Sequence, residues 1–450
     1  MVKKGINFTG FFIALVVFSV ILYLPIFNNQ QAQQALALLT MVAILWITEA
    51  IPLPLTGLLI PVVAIFMQLL SPKEAFKEFA HPILFLFMGG FVLAGALSRH
   101  SLDKMLAQKL IRLARGNFYR SAILLMFATS LTACWTSNTS ATAMMIPLGL
   151  GMLVLVKKNT VSAESKFLML GIAYSANIGG IITMVSSPPN AIGAAILNIS
   201  FSEWLKYSIP IFLITFPVMV TILTLYFKPD KKMSIGVMVF EKEAAAPIKT
   251  LTFIFLFTIS LWMMQGVLSP LLHIDNSFNS LVAILAIFLL FITKVLTWEE
   301  IIKSINWEIL LLFGGGLTLG MLINQSGLGA ILIAKVSSLI TIVPIFMFLL
   351  AIVVFSIILT EFMSNTASAA MILPLLFSLS NQIQINPVIL VLPSTIAASY
   401  GFMMPAGTPP NAMVFSAGFV PQSDMIKAGL MINVIFSIIL TTFFYLIFSL

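Results

Sequence analysis

Two stretches of the chain, TSNTSATAMMIPL at Thr136–Leu148 and MSNTASAAMILPL at Met363–Leu375, place Ser-Asn-Thr inside oily sequence and then resume an apolar helix that reaches a proline. One such string is readily explained as a cap on a buried helix end, since Ser, Asn and Thr satisfy the free N–H groups of a first turn. Two strings, with their asparagines 365 − 138 = 227 residues apart, call for a common cause.

Other signals follow the same displacement. SPKEAFKEFAHPILFLFMGGFVLAG starts at Ser71 and TWEEIIKSINWEILLLFGGGLTLGM at Thr297, an offset of 297 − 71 = 226 that pairs Glu74 with Glu300 and Gly89-Gly90 with Gly315-Gly316. Downstream, SSPPNAIG (Ser186–Gly193) and GTPPNAMV (Gly407–Val414) are displaced by 411 − 190 = 221. Three signals in one order at nearly one spacing make an internal duplication. The seam is the polar linker at 228–249; it separates a first repeat at 34–227, preceded by an N-terminal helix and loop at 1–33, from a second at 250–450.

The composition sets the environment. Of 450 residues 60% are hydrophobic and 8% charged, with a mean hydropathy of +1.10, whereas a soluble domain carries roughly 25% charged residues. The chain therefore reads as an all-α polytopic membrane protein, with about eleven transmembrane helices of about 20 apolar residues each. The net charge of +8 comes from Lys and Arg in short segments between oily runs, a topology signal rather than a nucleic-acid footprint. One cysteine, Cys134, and three scattered histidines leave no basis for a disulfide framework or a Cys/His metal centre. Lys3, Lys4 and the run Phe11–Leu24 have the outline of a signal peptide, but the many later spans favour a retained first helix with its N-terminus in the cytoplasm of a plasma-membrane protein.

Charge also orients the two halves. Spans near 9–26, 34–50, 53–70 and 83–98 return the chain to the cytoplasm before Arg99. The segment after it places Leu102, Met105, Leu106, Leu110 and Leu113 on one helical stripe and carries Arg99, Lys104, Lys109, Arg112, Arg115 and Arg120, as an interfacial cytoplasmic helix should. Its counterpart, NQSGLGAILIAKVSSLITIVP, has Lys335 as its one charge and is expected on the opposite side. The repeats are thus expected to be inverted.

Residues 121–136 and 140–156 are each short for a span and are flanked by Arg120 and Lys157-Lys158, which predicts a re-entrant hairpin over about 121–156 turning at Ser137-Asn138-Thr139. Its partner over about 341–380 turns at Ser364-Asn365-Thr366. The second break in each half, Ser187-Pro188-Pro189-Asn190 and Thr408-Pro409-Pro410-Asn411, removes backbone donors and interrupts a helix, with Gly179-Gly180 and Gly407 lending flexibility nearby. Irregular backbone at membrane depth is tolerated where it is buried in protein or lines a cavity, and matched interruptions in two halves point to a transporter's site. No Lys or Arg lies between Ser121 and Val156, so the chemistry offered is hydroxyls, amides and helix N-termini, which suit a small divalent anion and accompanying cations.

At these residues the chain resembles the divalent anion:sodium symporter family, the INDY-type di- and tricarboxylate carriers. The paired SNT and PPNA strings and WITEAIPLPLTGLL (Trp46–Leu59) carry the resemblance, which covers essentially the whole chain. It implies a homodimer in the lipid bilayer, with a scaffold and an elevator-type transport domain. It implies dicarboxylate binding at Ser137, Asn138, Thr139, Ser187, Pro188, Ser364, Asn365, Thr366, Thr408 and Pro409. It implies sodium sites at Ser137, Asn138 and Ser186 and at Thr360, Ser364, Asn365 and Gly407, and no other cofactor. Two positions depart from the family: Ala133 stands where a hydroxyl is usual, and Ser186 where glycine is. A cation cage that loses a ligand is weakened, so the residues lean to exchange of one dicarboxylate for another, with sodium-coupled di- or tricarboxylate symport as the alternative.

Glu361, beside Thr360, reads either as a proton or cation partner or as a structural pair for a neighbouring helix. Trp46, Trp135, Trp298 and Trp307 read as interface anchors. An anion channel is the competing class, and the paired hairpins argue against it. The chain offers no nucleophile–His pair, metal helix or nucleotide-binding glycine loop, which argues against an enzyme or an ATP-driven pump.

Overall fold

The computed structural model describes residues 6–100, 102–158, 160–235, 248–274, 277–331 and 343–449, and the regular elements among them are helices. The first half runs α1 (Phe8–Tyr23), α2 (Gln30–Ile47), α3 (Leu53–Phe66), α4 (Pro72–Lys77), α5 (Pro82–Arg99), α6 (Leu102–Arg112), α7 (Phe118–Ala133), α8 (Asn138–Leu155), α9 (Ala163–Gly179), α10 (Pro188–Leu197) and α11 (Phe201–Phe227). The second runs α12 (Ile248–Met263), α13 (Gln265–Leu271), α14 (Phe278–Ile292), α15 (Trp298–Ser304) and α16 (Trp307–Gln325). It continues with α17 (Ile345–Phe362), α18 (Asn365–Gln382), α19 (Pro387–Ala397), α20 (Pro409–Ser416) and α21 (Gln422–Ser449).

Seven helices among the described residues are long and apolar enough to cross a bilayer, eight if α12 and α13, bent by 74° at their junction, count as one span. The chain is therefore an all-α polytopic membrane protein. The expected figure of about eleven exceeds this because the short apolar helices α1, α3, α7, α14 and α19 fall below the length of a full span. Most of the linker expected at 228–249, the segment around Lys335 and the start of the second hairpin at 341 lie outside the described residues.

Local chemistry repeats with the sequence. Ser71 caps α4 and Thr297 caps α15, each with a reciprocal bond to a glutamate three residues on, Glu74 and Glu300. The close crossings repeat as well. Helix α3 packs on α16 and α14 packs on α5. At the first crossing a Cβ on Gly315 would collide with the backbone of Gly57, and at the second a Cβ on Gly89 would strike Ala283. Since 57 + 226 = 283 and 89 + 226 = 315, the two crossings use corresponding positions with partners exchanged between halves.

Helix α6 forms where an amphipathic interfacial helix is expected, and a second face of it packs on the protein. Ala107, Ile111 and Ala114 are buried toward the protein, whereas Leu106 and Leu113 of the predicted stripe are exposed. Small residues allow α6 to lie close on α7, and the leucines are left for lipid. Trp298 and Trp307 are exposed, as interface anchors should be, but Trp46 is fully buried and Trp135 packs edge-on to Phe255 at 4.9 Å. Those two are packing residues, because their helix ends face protein.

Candidate functional site

Each Ser-Asn-Thr string starts a helix rather than forming a turn. Ser137 is the N-cap of α8, accepting the Ser140 N–H at 3.1 Å, and Ser364 is the N-cap of α18, accepting the Ala367 N–H at 3.2 Å. Asn138-Thr139 and Asn365-Thr366 are thus the first helical residues of the return arms, and the bends fall just before the serines. The turn centres lie about two residues before Asn138 and Asn365 for a physical reason: a serine hydroxyl is placed to satisfy a first-turn donor.

The Pro-Pro motifs likewise begin α10 and α20, with proline at the first helical position where no backbone donor is needed. Their asparagines close the preceding loops identically. Asn190 Nδ2 donates to the carbonyls of Gly180 and Thr183, both at 2.8 Å. Asn411 Nδ2 donates to those of Gly401 and Met404 at 2.9 and 3.1 Å. In both halves the acceptors lie ten and seven residues upstream, so each break is a tied loop rather than a hinge.

The halves interlock at these elements. Helix α10 packs on α18 and α19, while α20 packs on α8 and α9, so the helix after each break lies against the return arm of the other half's hairpin. One chain of side chains crosses between halves: Asn138 Nδ2 faces Asn177 Oδ1 at 3.5 Å, and Asn177 Nδ2 donates to Thr408 Oγ1 at 3.1 Å. Asn177 was not among the expected residues. An Asn in the mostly apolar second half of α9, two residues before Gly179-Gly180, was the signal that could have found it. Those glycines permit close approach rather than flexibility: a Cβ on Gly179 would strike the Ser130 backbone, and one on Gly180 the Asn138 amide.

Asn365 turns instead to its own hairpin, accepting from Thr360 Oγ1 at 2.6 Å, and the same hydroxyl lies 2.7 Å from the Ala398 carbonyl. Ser186 Oγ donates toward the Gly180 and Thr183 carbonyls at 2.6 and 2.8 Å, whereas Gly407 at the matching place lies beside the Glu361 carboxylate. Glu361 accepts the backbone N–H groups of Met403 and Met404 at 2.8 and 2.9 Å and the Asn433 amide at 2.7 Å. It ties α17, the second broken loop and α21 together, the structural pairing among its two readings. The corresponding residue, 361 − 227 = 134, is Cys134, whose carbonyl accepts from Thr183; one tie is made with two chemistries.

Among the predicted residues Ser186, Ser187, Thr360, Gly407 and Thr408 are buried, Asn138, Pro188, Ser364, Asn365 and Thr366 half-buried, and Ser137, Thr139 and Pro409 exposed. Asn138 and Thr408 are joined through Asn177. Thr360 and Asn365 meet directly, and Gly407 lies next to Thr360's neighbour Glu361. A cavity of about 630 Å³ opens between His81 and Leu86 on one side, Met184, Ala194 and Glu203 on another, and Gln265 and Asn279 on a third; it borders the first broken loop but none of the predicted site residues lines it.

A family model described as citrate transporter (CitMHS) matches residues 43–393. The chain belongs to the citrate transporter family. Membership makes it a secondary transporter and not an enzyme. A Haemophilus influenzae protein described only as a transporter is 40% identical, the alignment covering 99% of this chain and 97% of that one. A sodium-dependent dicarboxylate transporter of Staphylococcus saprophyticus is 31% identical over 96% of this chain and 89% of its own. The fold is also that of the Alcanivorax borkumensis YdaH transporter, with a TM-score of 0.57 at 15% identity over 86% of this chain and 89% of the other.

Proposed function

We propose that the chain is a sodium-coupled symporter of small dicarboxylates, an INDY-type member of its family. It works by alternating access in the plasma membrane, as a homodimer with a cytoplasmic N-terminus. This reverses the lean toward exchange that Ala133 suggested. The observation that carries it is the charge inventory of the interlocked elements: residues 121–156, 167–205 and 343–426 contain no Lys or Arg. Four helix N-termini, at Asn138, Pro188, Asn365 and Pro409, present partial positive charge and, with hydroxyls and side-chain amides, stand in these segments where a basic side chain would otherwise meet a doubly negative substrate. Burying an anion without a paired cation is costly, so co-bound sodium supplies what the side chains lack. The relatives named as sodium-dependent dicarboxylate transporters support the same reading.

In this reading the substrate carboxylates are held at Ser137-Asn138-Thr139, Ser187-Pro188, Ser364-Asn365-Thr366 and Thr408-Pro409. One sodium binds near Ser137, Asn138 and Ser186, the other near Thr360, Ser364, Asn365 and Gly407. The exchanged partners at the Gly57–Gly315 and Ala283–Gly89 crossings support an inverted repeat with its first unit at 34–227 and second at 250–450. They also support a scaffold of which α3, α5, α14 and α16 form part. The mutual packing of α8–α10 with α18–α20 supports a separate transport domain that moves as an elevator.

The test is uptake of labelled succinate into proteoliposomes, empty or preloaded with dicarboxylate, with and without an inward sodium gradient. Uptake into empty vesicles that requires sodium is expected. Uptake that requires internal dicarboxylate and ignores sodium would instead establish exchange, the reading that Ala133 favours.

A further inference from the structure

The first-half site lacks a hydroxyl at Ala133, and the structure contains a group in its stead. In the second half Thr360 donates to Asn365, and the residue whose carbonyl faces it is Ala398, the C-cap of α19. The corresponding positions in the first half are 360 − 227 = 133 and 398 − 221 = 177, an alanine and an asparagine. The polar partner of the SNT asparagine has therefore moved from the hairpin arm to the helix opposite. Asn138 meets the fully buried Asn177 at 3.5 Å where Asn365 meets Thr360, and Ala133 sits in a small apolar cluster with Ala141 and Ala176.

Two further facts give this exchange consequences. The buried Asn138 Oδ1 has no hydrogen-bond partner, although it lies against Gly180 in a packed environment. A buried amide oxygen left open is costly unless something binds it. Asn177 also uses its amide N–H on Thr408 Oγ1 at 3.1 Å, a residue of the other half's break. The second-half counterpart, alanine, has no side chain with which to make such a link.

We infer that Asn177 is a positioning residue that replaces the missing hydroxyl at Ala133, orienting the Asn138 amide oxygen toward a sodium ion and coupling that cation to the anion-binding break through Thr408. The inference rests on the symport reading above. A cation drawn to Asn138 holds the Asn138–Asn177 pair in place, and the pair fixes the Thr408 hydroxyl that meets the substrate. Sodium and substrate then favour each other's binding by the same factor.

The experiment measures sodium half-saturation and succinate KM at saturating sodium in proteoliposomes, for wild type, Asn177→Ala and Ala133→Ser/Asn177→Ala. Asn177→Ala is expected to raise sodium half-saturation roughly five- to tenfold, with a smaller change in KM at saturating sodium. The double variant rebuilds the second half's arrangement and is expected to recover most of the loss. General disruption of packing would move both constants together and would not be rescued by a hydroxyl at residue 133. If Asn177→Ala does not fold, recovery of folding and of wild-type sodium half-saturation in the double variant supports the inference. A double variant that also fails to fold, or that transports with unrescued sodium half-saturation, overturns it. Wild-type uptake that ignores sodium overturns the symport reading itself, whereas sodium-dependent wild-type uptake with an unchanged half-saturation in Asn177→Ala overturns this inference alone.

Discussion

Asn190 and Asn411 show how far single residues in the two halves are copies and where they differ. Each amide ties two carbonyls of its loop, but Ser186 donates to the same pair in the first half, and Gly407 has no side chain to do so in the second. Asn411→Ala should therefore cost about 1–2 kcal/mol and Asn190→Ala less, with Ser186→Gly added to Asn190→Ala removing the difference. Thermal unfolding in detergent checks the order. Glu361→Gln places an amide donor against a set of donors, the Met403 and Met404 N–H groups and the Asn433 amide. It should lower the melting temperature by an amount corresponding to about 1–3 kcal/mol. A variant as stable as wild type would mean that the three bonds do not hold the second loop. Gly180→Ala should abolish uptake while leaving the fold largely intact, because its Cβ would displace the Asn138 amide; normal uptake would place Asn138 outside the site.

Among elements, the helix starts near Ser-Asn-Thr and at the proline pairs were legible because their signals are short and local: a capping serine, a proline pair, an asparagine at a fixed spacing. The precise start of α8 and α18 was not, since Ser-Asn-Thr reads equally as a turn or as a cap until the Ser137 and Ser364 acceptor bonds are seen. The stripe of α6 was legible as the apolar face of an interfacial helix, and Leu106 and Leu113 are exposed; periodicity did not show that Ala107, Ile111 and Ala114 form a second face against the protein. Asn177 escaped because its second-half counterpart is alanine, so the repeat gave no echo there, unlike the paired Ser-Asn-Thr and Pro-Pro-Asn strings. The α3–α16 and α5–α14 crossings depend on the absence of a side chain at Gly315 and Gly89. Alanine at either position should destabilise the protein by roughly 1–3 kcal/mol through overpacking. Similar losses for the two variants in detergent unfolding would support their equivalence; a harmless Gly315→Ala would argue against the close crossing.

Across the whole molecule, the proposed transport requires that both halves contribute to holding a single anion. The cross-packing of α10 on α18 and of α20 on α8, and the Asn138–Asn177–Thr408 chain, bring elements of each half to the other. In the proposed symport, the absence of Lys and Arg from these segments leaves the anion to amides, hydroxyls, helix termini and sodium. The direct measurement is calorimetric titration of succinate, in sodium, into purified wild type, Asn138→Ala and Asn365→Ala, each confirmed as folded by its melting temperature. Each single substitution is predicted to weaken binding by roughly tenfold or more. Wild-type affinity in either folded variant would contradict a site shared by the two halves.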